Sequence, residues 1–201
     1  MGEKKAATYQ DVLDAPEHVV AEILDDELFL SPRPASPANR VATAIGHELM
    51  GPFDRGRGGP GGWIIIIEPE VHLQGQIVVP DIAGWRRETM AVVPDEAFLS
   101  ISPDWVCEVL SPSTEKLDRT RKMRAYAAFG VSHVWLVHPR RRMLEVYRRQ
   151  ERDWLSLGTF TEDDVVHAEP FEAIELDLSL FWKDTSPPTR ASEGGLEYDS
   201  P

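Results

Sequence analysis

Trp105-Val106-Cys107-Glu108-Val109-Leu110-Ser111-Pro112-Ser113-Thr114 is the stretch whose reading decides the fold. Its first six residues form a short apolar strand with one acid inside it, and the last four are a polar turn. A carboxylate without a partner in a dry interior costs several kcal/mol, so Glu108 must be protonated, paired with a cation or turned into a wet cleft. The polar turn leaves the carboxyl end of the strand open, which is where sites gather on α/β sheets.

Reading outward from this strand, Leu117 to Phe129 has helical spacing and stops at Gly130. Val134 to Val137 and Met143 to Arg148 then pair as strands across Pro139-Arg140-Arg141-Arg142. Upstream, Ile77 to Trp85 reads as one strand carrying Asp81, and Val71 to Leu73 as another. Trp63 to Ile67 is a continuous apolar run, the mark of a central strand covered on both faces. Gly56 to Gly62 lacks the GK[ST] ending of a phosphate-cradling loop and reads as a flexible connection. Pro37 to Met50 is a helix with Ser36 as its N-cap. A short helix from Thr8 to Ala15 and a hairpin from His18 to Leu30 about Asp25-Asp26 form an N-terminal appendage. Ala173 to Leu178 is a further strand, followed by a short apolar end at Leu180-Phe181-Trp182. The succession of layers predicts an α/β (α+β) fold, a mixed central sheet flanked by helices.

With 201 residues and 42% hydrophobic content, one domain is expected over residues 1–183, with an acidic, disordered tail over 184–201. No apolar run approaches the roughly 18 residues of a membrane span, which points to a cytoplasmic protein. Cys107 is the single cysteine, so neither an intramolecular disulfide nor a Cys-pair metal site is available. The six histidines are scattered without metal-ligand spacing. The net charge of −13 argues against a polyanion partner, but the charge is uneven. Residues 115–152 hold eleven Lys and Arg against four Asp and Glu, a surplus of +7 that leaves −20 on the remainder. That stretch reads either as a polyanion-facing surface or as solvated faces of a helix and a hairpin.

Asp81 and Glu108 are both acids in otherwise apolar strands. Each alone can be a strand-end charge or the partner of an arginine. Brought together they resist joint ionisation, and a divalent cation between them removes the penalty. Hard oxygen ligands suit Mg²⁺ or Mn²⁺. Glu68, at the end of the isoleucine strand, is a candidate third metal ligand; Glu22 and Glu48 are weaker ones, expected to face solvent. Asp118, Lys122 and Tyr126 recur every four residues on one helical stripe.

Val79-Pro80-Asp81, the run from Val106 to Thr114, Asp118, Lys122, Tyr126-Ala127, Gly130-Val131 and Val134-Trp135-Leu136-Val137 together resemble the Uma-two family, a branch of the PD-(D/E)xK nuclease superfamily. The likeness extends more weakly to the hairpin from Glu22 to Pro32, the helix after Ser36 and Leu176-Asp177-Leu178. The resemblance implies a restriction-endonuclease-like core in which an aspartate and a glutamate on adjacent strands hold Mg²⁺. The superfamily pattern has a lysine two residues after the glutamate, and this sequence has Leu110 there.

These readings assemble into a metal-dependent endonuclease acting on nucleic acid, with DNA the favoured substrate and a homodimer the favoured assembly. Asp81 and Glu108 bind the metal, and Lys122 replaces the missing strand lysine, steadying phosphate or orienting water. Arg119, Arg121 and Arg124 position the nucleic-acid backbone. On this view Lys122→Met removes a charge used in catalysis and leaves the melting temperature nearly intact. The competing reading makes Lys122 an exposed partner of Asp118. The rival functions are a nuclease fold that binds nucleic acid without cutting it, and a protein-interaction domain.

Overall fold

The computed structural model describes residues 5–185. The acidic tail expected over 184–201 lies, from residue 186 on, outside the described residues. The chain begins with helix α1 (Tyr9–Leu13) and the hairpin β1 (Val19–Leu24) and β2 (Glu27–Pro32). Asp25 and Asp26, at φ 50° and 63°, make the two-residue turn between those strands. Helix α2 (Ser36–Leu49) buries Val41, Ile45 and Leu49 at helical spacing and runs into a π-helical turn over Met50–Asp54. Ala35, not Ser36, occupies its N-cap, one residue from the expected position.

Strands β3 (Trp63–Ile67), β4 (Val71–Leu73), β5 (Gln76–Val78), β6 (Ile82–Arg86) and β7 (Trp105–Val109) follow. A helical run comes next: α3 (Glu115–Leu117), a π-turn over Asp118–Lys122, and α4 (Met123–Phe129), closed by Gly130 in the left-handed conformation at φ 83°. After β8 (His133–His138), β9 (Met143–Gln150) and β10 (Asp153–Thr161) come the short strands β11 (Val165–Val166) and β12 (Leu176–Asp177), then α5 (Ser179–Trp182).

Six strands form the central sheet in the order β10-β9-β8-β7-β6-β3, with β7 and β8 parallel and the other neighbours antiparallel. A second sheet has the order β2-β1-β5-β4. The hairpin is therefore no appendage, because β1 pairs with β5 and makes the two halves of this sheet continuous. The segment read as one strand from Ile77 to Trp85 is two, β5 in one sheet and β6 in the other. Pro80 interrupts it, since proline cannot donate to a ladder, and Val79-Pro80-Asp81 crosses between the sheets.

Trp105 to Val109 is a central strand, buried along its whole length. Trp63 to Ile67 is not central; β3 is an edge of the six-stranded sheet. Its continuous apolar run reflects cover on both faces, with Trp63 and Ile65 in one core and Ile64 in the other. The π-turn after α2 guards the open edge, where Asp54 Oδ2 accepts the Ile65 N–H at 3.0 Å. The glycine-rich segment is likewise not a loose connection. Gly61 N–H donates to the Pro52 carbonyl at 2.8 Å, and a Cβ at Gly59 would meet the Pro52 ring at 2.4 Å.

The two faces of the central sheet carry separate cores. On one, Trp105, Cys107, Val109, Trp135 and Val137 pack with α2 and Phe171. On the other, Val106, Leu110, Val134 and Leu136 pack with Met123, Ala125 and Tyr126 of α4. Strand alternation puts Cys107 on the first face and Glu108 on the second. At Gly84 in β6, an added Cβ would stand 3.1 Å from the Trp105 ring and 3.2 Å from the Trp63 ring, and both rings are buried. Gly84→Ala is expected to lower stability by about 1–3 kcal/mol, the usual range for overpacking a filled core. Urea unfolding of the two proteins checks it, and equal midpoints would show that the tryptophans can yield.

Candidate active site

Three separate parts of the chain deliver acids to one point. The hairpin brings Glu22 from the middle of β1, strand β7 brings Glu108, and the π-turn brings Asp118 together with Lys122. All four are buried, at 3%, 2%, 3% and 3% exposure. The Lys122 ammonium lies 2.9 Å from Glu22 Oε1, 2.9 Å from Glu108 Oε1 and 3.6 Å from Asp118 Oδ1. Tyr126, one turn further along the helix, donates its hydroxyl to the same Glu108 oxygen. Glu22 Oε1 also accepts the Val79 N–H at 2.8 Å, which ties the hairpin to the crossing segment.

Asp81 ends that crossing segment, one residue before Ile82, which faces Cys107 across the β6–β7 ladder. This register sets Asp81 beside Glu108 and on the same face of the sheet. Asp81 Oδ2 accepts the Val109 N–H at 2.6 Å. The carboxylates line a cavity of about 190 Å³, closed by the end of β2 on one side and by the turn Ser111-Pro112-Ser113-Thr114 on the other. Ser111 shares hydrogen bonds with Ser113 Oγ and Thr114 Oγ1 at 2.9 and 3.0 Å, which hold the turn together.

Four carboxylates around one ammonium leave an excess of negative charge in a region poor in water. Burial lifts the Asp81 pKa to about 7, against the opposing pull of the Val109 N–H and Lys122. Burial pushes Glu108 well above the carboxylate range although Lys122 adjoins it, and raises Asp118 as well. Burial on its own disfavours the Lys122 charge, but Glu108 and Glu22 together outweigh it and hold the ammonium protonated. Lys122 is thus no exposed partner of Asp118. Lys122→Met is therefore expected to cost stability, because removing one member of a buried ion cluster strands the rest.

Glu68 does not join the site. It has φ 47°, its side chain is partly exposed, and it stands 4.0 Å from Arg33. Glu48 is also outside the cavity wall. Glu22, expected at the surface, is instead one of the buried acids. Its only sequence signal was an acid sharing a face of β1 with the apolar Val20 and Leu24. The three arginines expected to face a nucleic-acid backbone are mostly engaged within the protein. Arg119 binds Glu145 through both terminal nitrogens, at 2.9 and 2.6 Å, and Glu115 at 2.9 Å. Arg121 reaches Asp25 at 3.1 Å and Glu27 at 3.3 Å, its guanidinium over the Phe29 ring. Arg124 lies apart from the cavity, beside Arg149 and Arg152.

The donor set suits a hard cation. Among the described residues Asp81 Oδ1 and Glu108 Oε2 accept no hydrogen bond. Among these residues, too, no three His, Cys, Asp or Glu side chains form a ready-made cage. Mg²⁺ needs none, since it commonly keeps several waters and takes one or two carboxylates.

The family model described as "Putative restriction endonuclease", Uma2, matches residues 6–180. The chain belongs to the Uma2 family. A solved structure from Anabaena variabilis ATCC 29413, described as a "putative nuclease belonging to DUF820", matches with a TM-score of 0.71 at 20% identity, over 88% of this chain and 97% of that one. At that identity the likeness speaks for the fold, which is restriction-endonuclease-like. No curated protein matches the chain. Leu110, two residues after Glu108, is packed in the core.

Because the folded-state Asp81 pKa is about 7 against an ordinary 3.8, the folded protein holds a proton that the unfolded chain has released between those values. Stability contributed through Asp81 therefore falls as pH rises across that window. Asp81→Asn cannot ionise, so its melting temperature, measured without metal, should gain on the parent as pH goes from 4 to 8. Parallel melting profiles for the two proteins would contradict the buried-acid account.

Proposed function

We propose that this protein is a metal-dependent endonuclease that hydrolyses phosphodiester bonds of nucleic acid, with DNA as the favoured substrate. The observation that carries this reading is the Lys122 ammonium 2.9 Å from Glu108 Oε1, reached from a helix because Leu110 fills the strand position. The membership of the Uma2 family supports it. Asp81 and Glu108 would hold Mg²⁺ or Mn²⁺ through the oxygens that lack protein donors. Such an ion, when bound, lowers the pKa of water and offsets charge building on phosphorus.

The chain's own groups then have distinct tasks. Lys122 offers its proton-rich ammonium to a phosphate oxygen or to the attacking water, in a recess where such contacts are strengthened by the scarcity of solvent. Glu22 and Asp118 hold Lys122 in place, and Tyr126 restrains Glu108. The Val109 N–H fixes the Asp81 carboxyl at one oxygen and leaves the other to the cavity. We further propose that the protein works as a homodimer, as cutting both strands of a duplex calls for two sites, and in the cytoplasm, where the buried thiol of Cys107 stays reduced. Among the described residues no helix is long and apolar enough to cross a membrane.

The test uses purified protein with duplex DNA, single-stranded DNA and RNA, each with Mg²⁺ and Mn²⁺. Asp81→Asn and Glu108→Gln should abolish both cleavage and the rise in melting temperature that Mn²⁺ gives the parent. Lys122→Met should lower the metal-free melting temperature and, with Mn²⁺ saturating and the fold confirmed by circular dichroism, lose about 10²-fold or more in cleavage rate. Cleavage of none of the substrates by the parent would move the function to a nucleic-acid-binding module.

A further inference from the structure

Resting on that nuclease reading, we propose that Arg33 is the phosphate-binding residue at the mouth of the cavity, taking a backbone phosphate next to the one over Asp81 and Glu108. Among the described residues the cavity wall contains two cationic side chains, Lys122 at its floor and Arg33 at its rim. Lys122 is buried and holds two carboxylates at 2.9 Å, whereas the Arg33 side chain is 57% exposed. Its Nε donates to the Glu17 carbonyl at 3.1 Å, which anchors the root of the guanidinium. Its terminal nitrogens make no hydrogen bond among the described residues, and the contact with Glu68 is long at 4.0 Å. Pro32 and Pro34 flank it and restrict the backbone on either side. The result is a guanidinium held by one edge with its fork free, the geometry that matches a phosphate with two parallel hydrogen bonds.

The acids lining the cavity favour such a residue at its mouth. Glu22, Asp81, Glu108 and Asp118 all line the cavity, so an approaching phosphodiester meets repulsion that one buried lysine does not cancel. Arg119 and Arg121 do not supply the missing charge, since they are held by Glu115, Glu145, Asp25 and Glu27. Arg33 has the same sign as those residues but stands on the wall that the substrate must pass.

The experiment measures binding of labelled single-stranded and duplex oligodeoxynucleotides by fluorescence anisotropy across a KCl series, with Ca²⁺ as the divalent ion. Arg33→Gln should weaken binding about 10-fold, the effect of losing a charged hydrogen bond. It should also make the slope of log K against log salt shallower by about one, as for the loss of one phosphate contact. The melting temperature should not change, and Arg33→Lys should restore the slope. Arg152→Gln, outside the cavity, serves as the control and should match the parent. If the parent binds and Arg33→Gln keeps its affinity and slope, or loses affinity with a lower melting temperature and an unchanged slope, the inference is overturned while the nuclease reading stands. A parent that binds neither oligonucleotide overturns both.

Discussion

A single ammonium group in a buried nest of carboxylates holds this architecture in register. Lys122 touches an acid from the hairpin, an acid from the central sheet and an acid from its own π-turn, so three segments far apart in sequence must each be in place before its charge is compensated. A buried ion cluster is weak as a source of stability, because desolvating the charges offsets much of their attraction. Its presence despite that cost points to use, and the surplus of acids over cations is the chemical reason a divalent cation would be welcome.

The π-turn over Asp118–Lys122 is the local device that makes the cluster possible. Wide turns of this kind inside a helix are often associated with functional sites. Here it occurs where the helix first reaches the open end of β7. Downstream, α4 returns to ordinary pitch and packs Met123 and Tyr126 against the sheet. The other device is Val79-Pro80-Asp81, which leaves one sheet and enters the other. Its two backbone-linked bonds, Val79 N–H to Glu22 and Val109 N–H to Asp81, connect the sheets through the acids themselves. A shift of either sheet would disturb the site first.

The charge pattern of the chain acquires a different meaning in three dimensions. The basic run from 115 to 152 serves largely as internal bracing: Arg119 fastens the helix to β9 through Glu145, and Arg121 fastens it to the hairpin turn through Asp25. Arg142 is similarly joined to Glu162. Strong pairing lifts the Arg119 pKa through its Glu145 hydrogen bonds and lowers that of Glu145. A charge count along the chain cannot separate such bracing from a binding surface, because the acids involved are 26 and 96 residues away.

Local order was legible without coordinates wherever one physical rule dominated. The apolar run of β7 with its single acid, the αL stop at Gly130, the Asp25-Asp26 turn and the helical stripe from Asp118 to Tyr126 were each set by periodicity or turn chemistry. The resemblance to the Uma-two family, not these local rules, implied that Asp81, Glu108 and Lys122 are neighbours. The long strand β10 escaped notice, since its half-exposed residues lack a clean alternation. The edge position of β3, the joining of the hairpin to β5, the burial of Glu22 and the exclusion of Glu68 were decided only by tertiary structure. Those outcomes depend on which segments meet across the sheets. Burial and ion pairing are properties of the meeting surfaces, so neither an acid's fate nor an arginine's partner can be read from its own stretch of sequence.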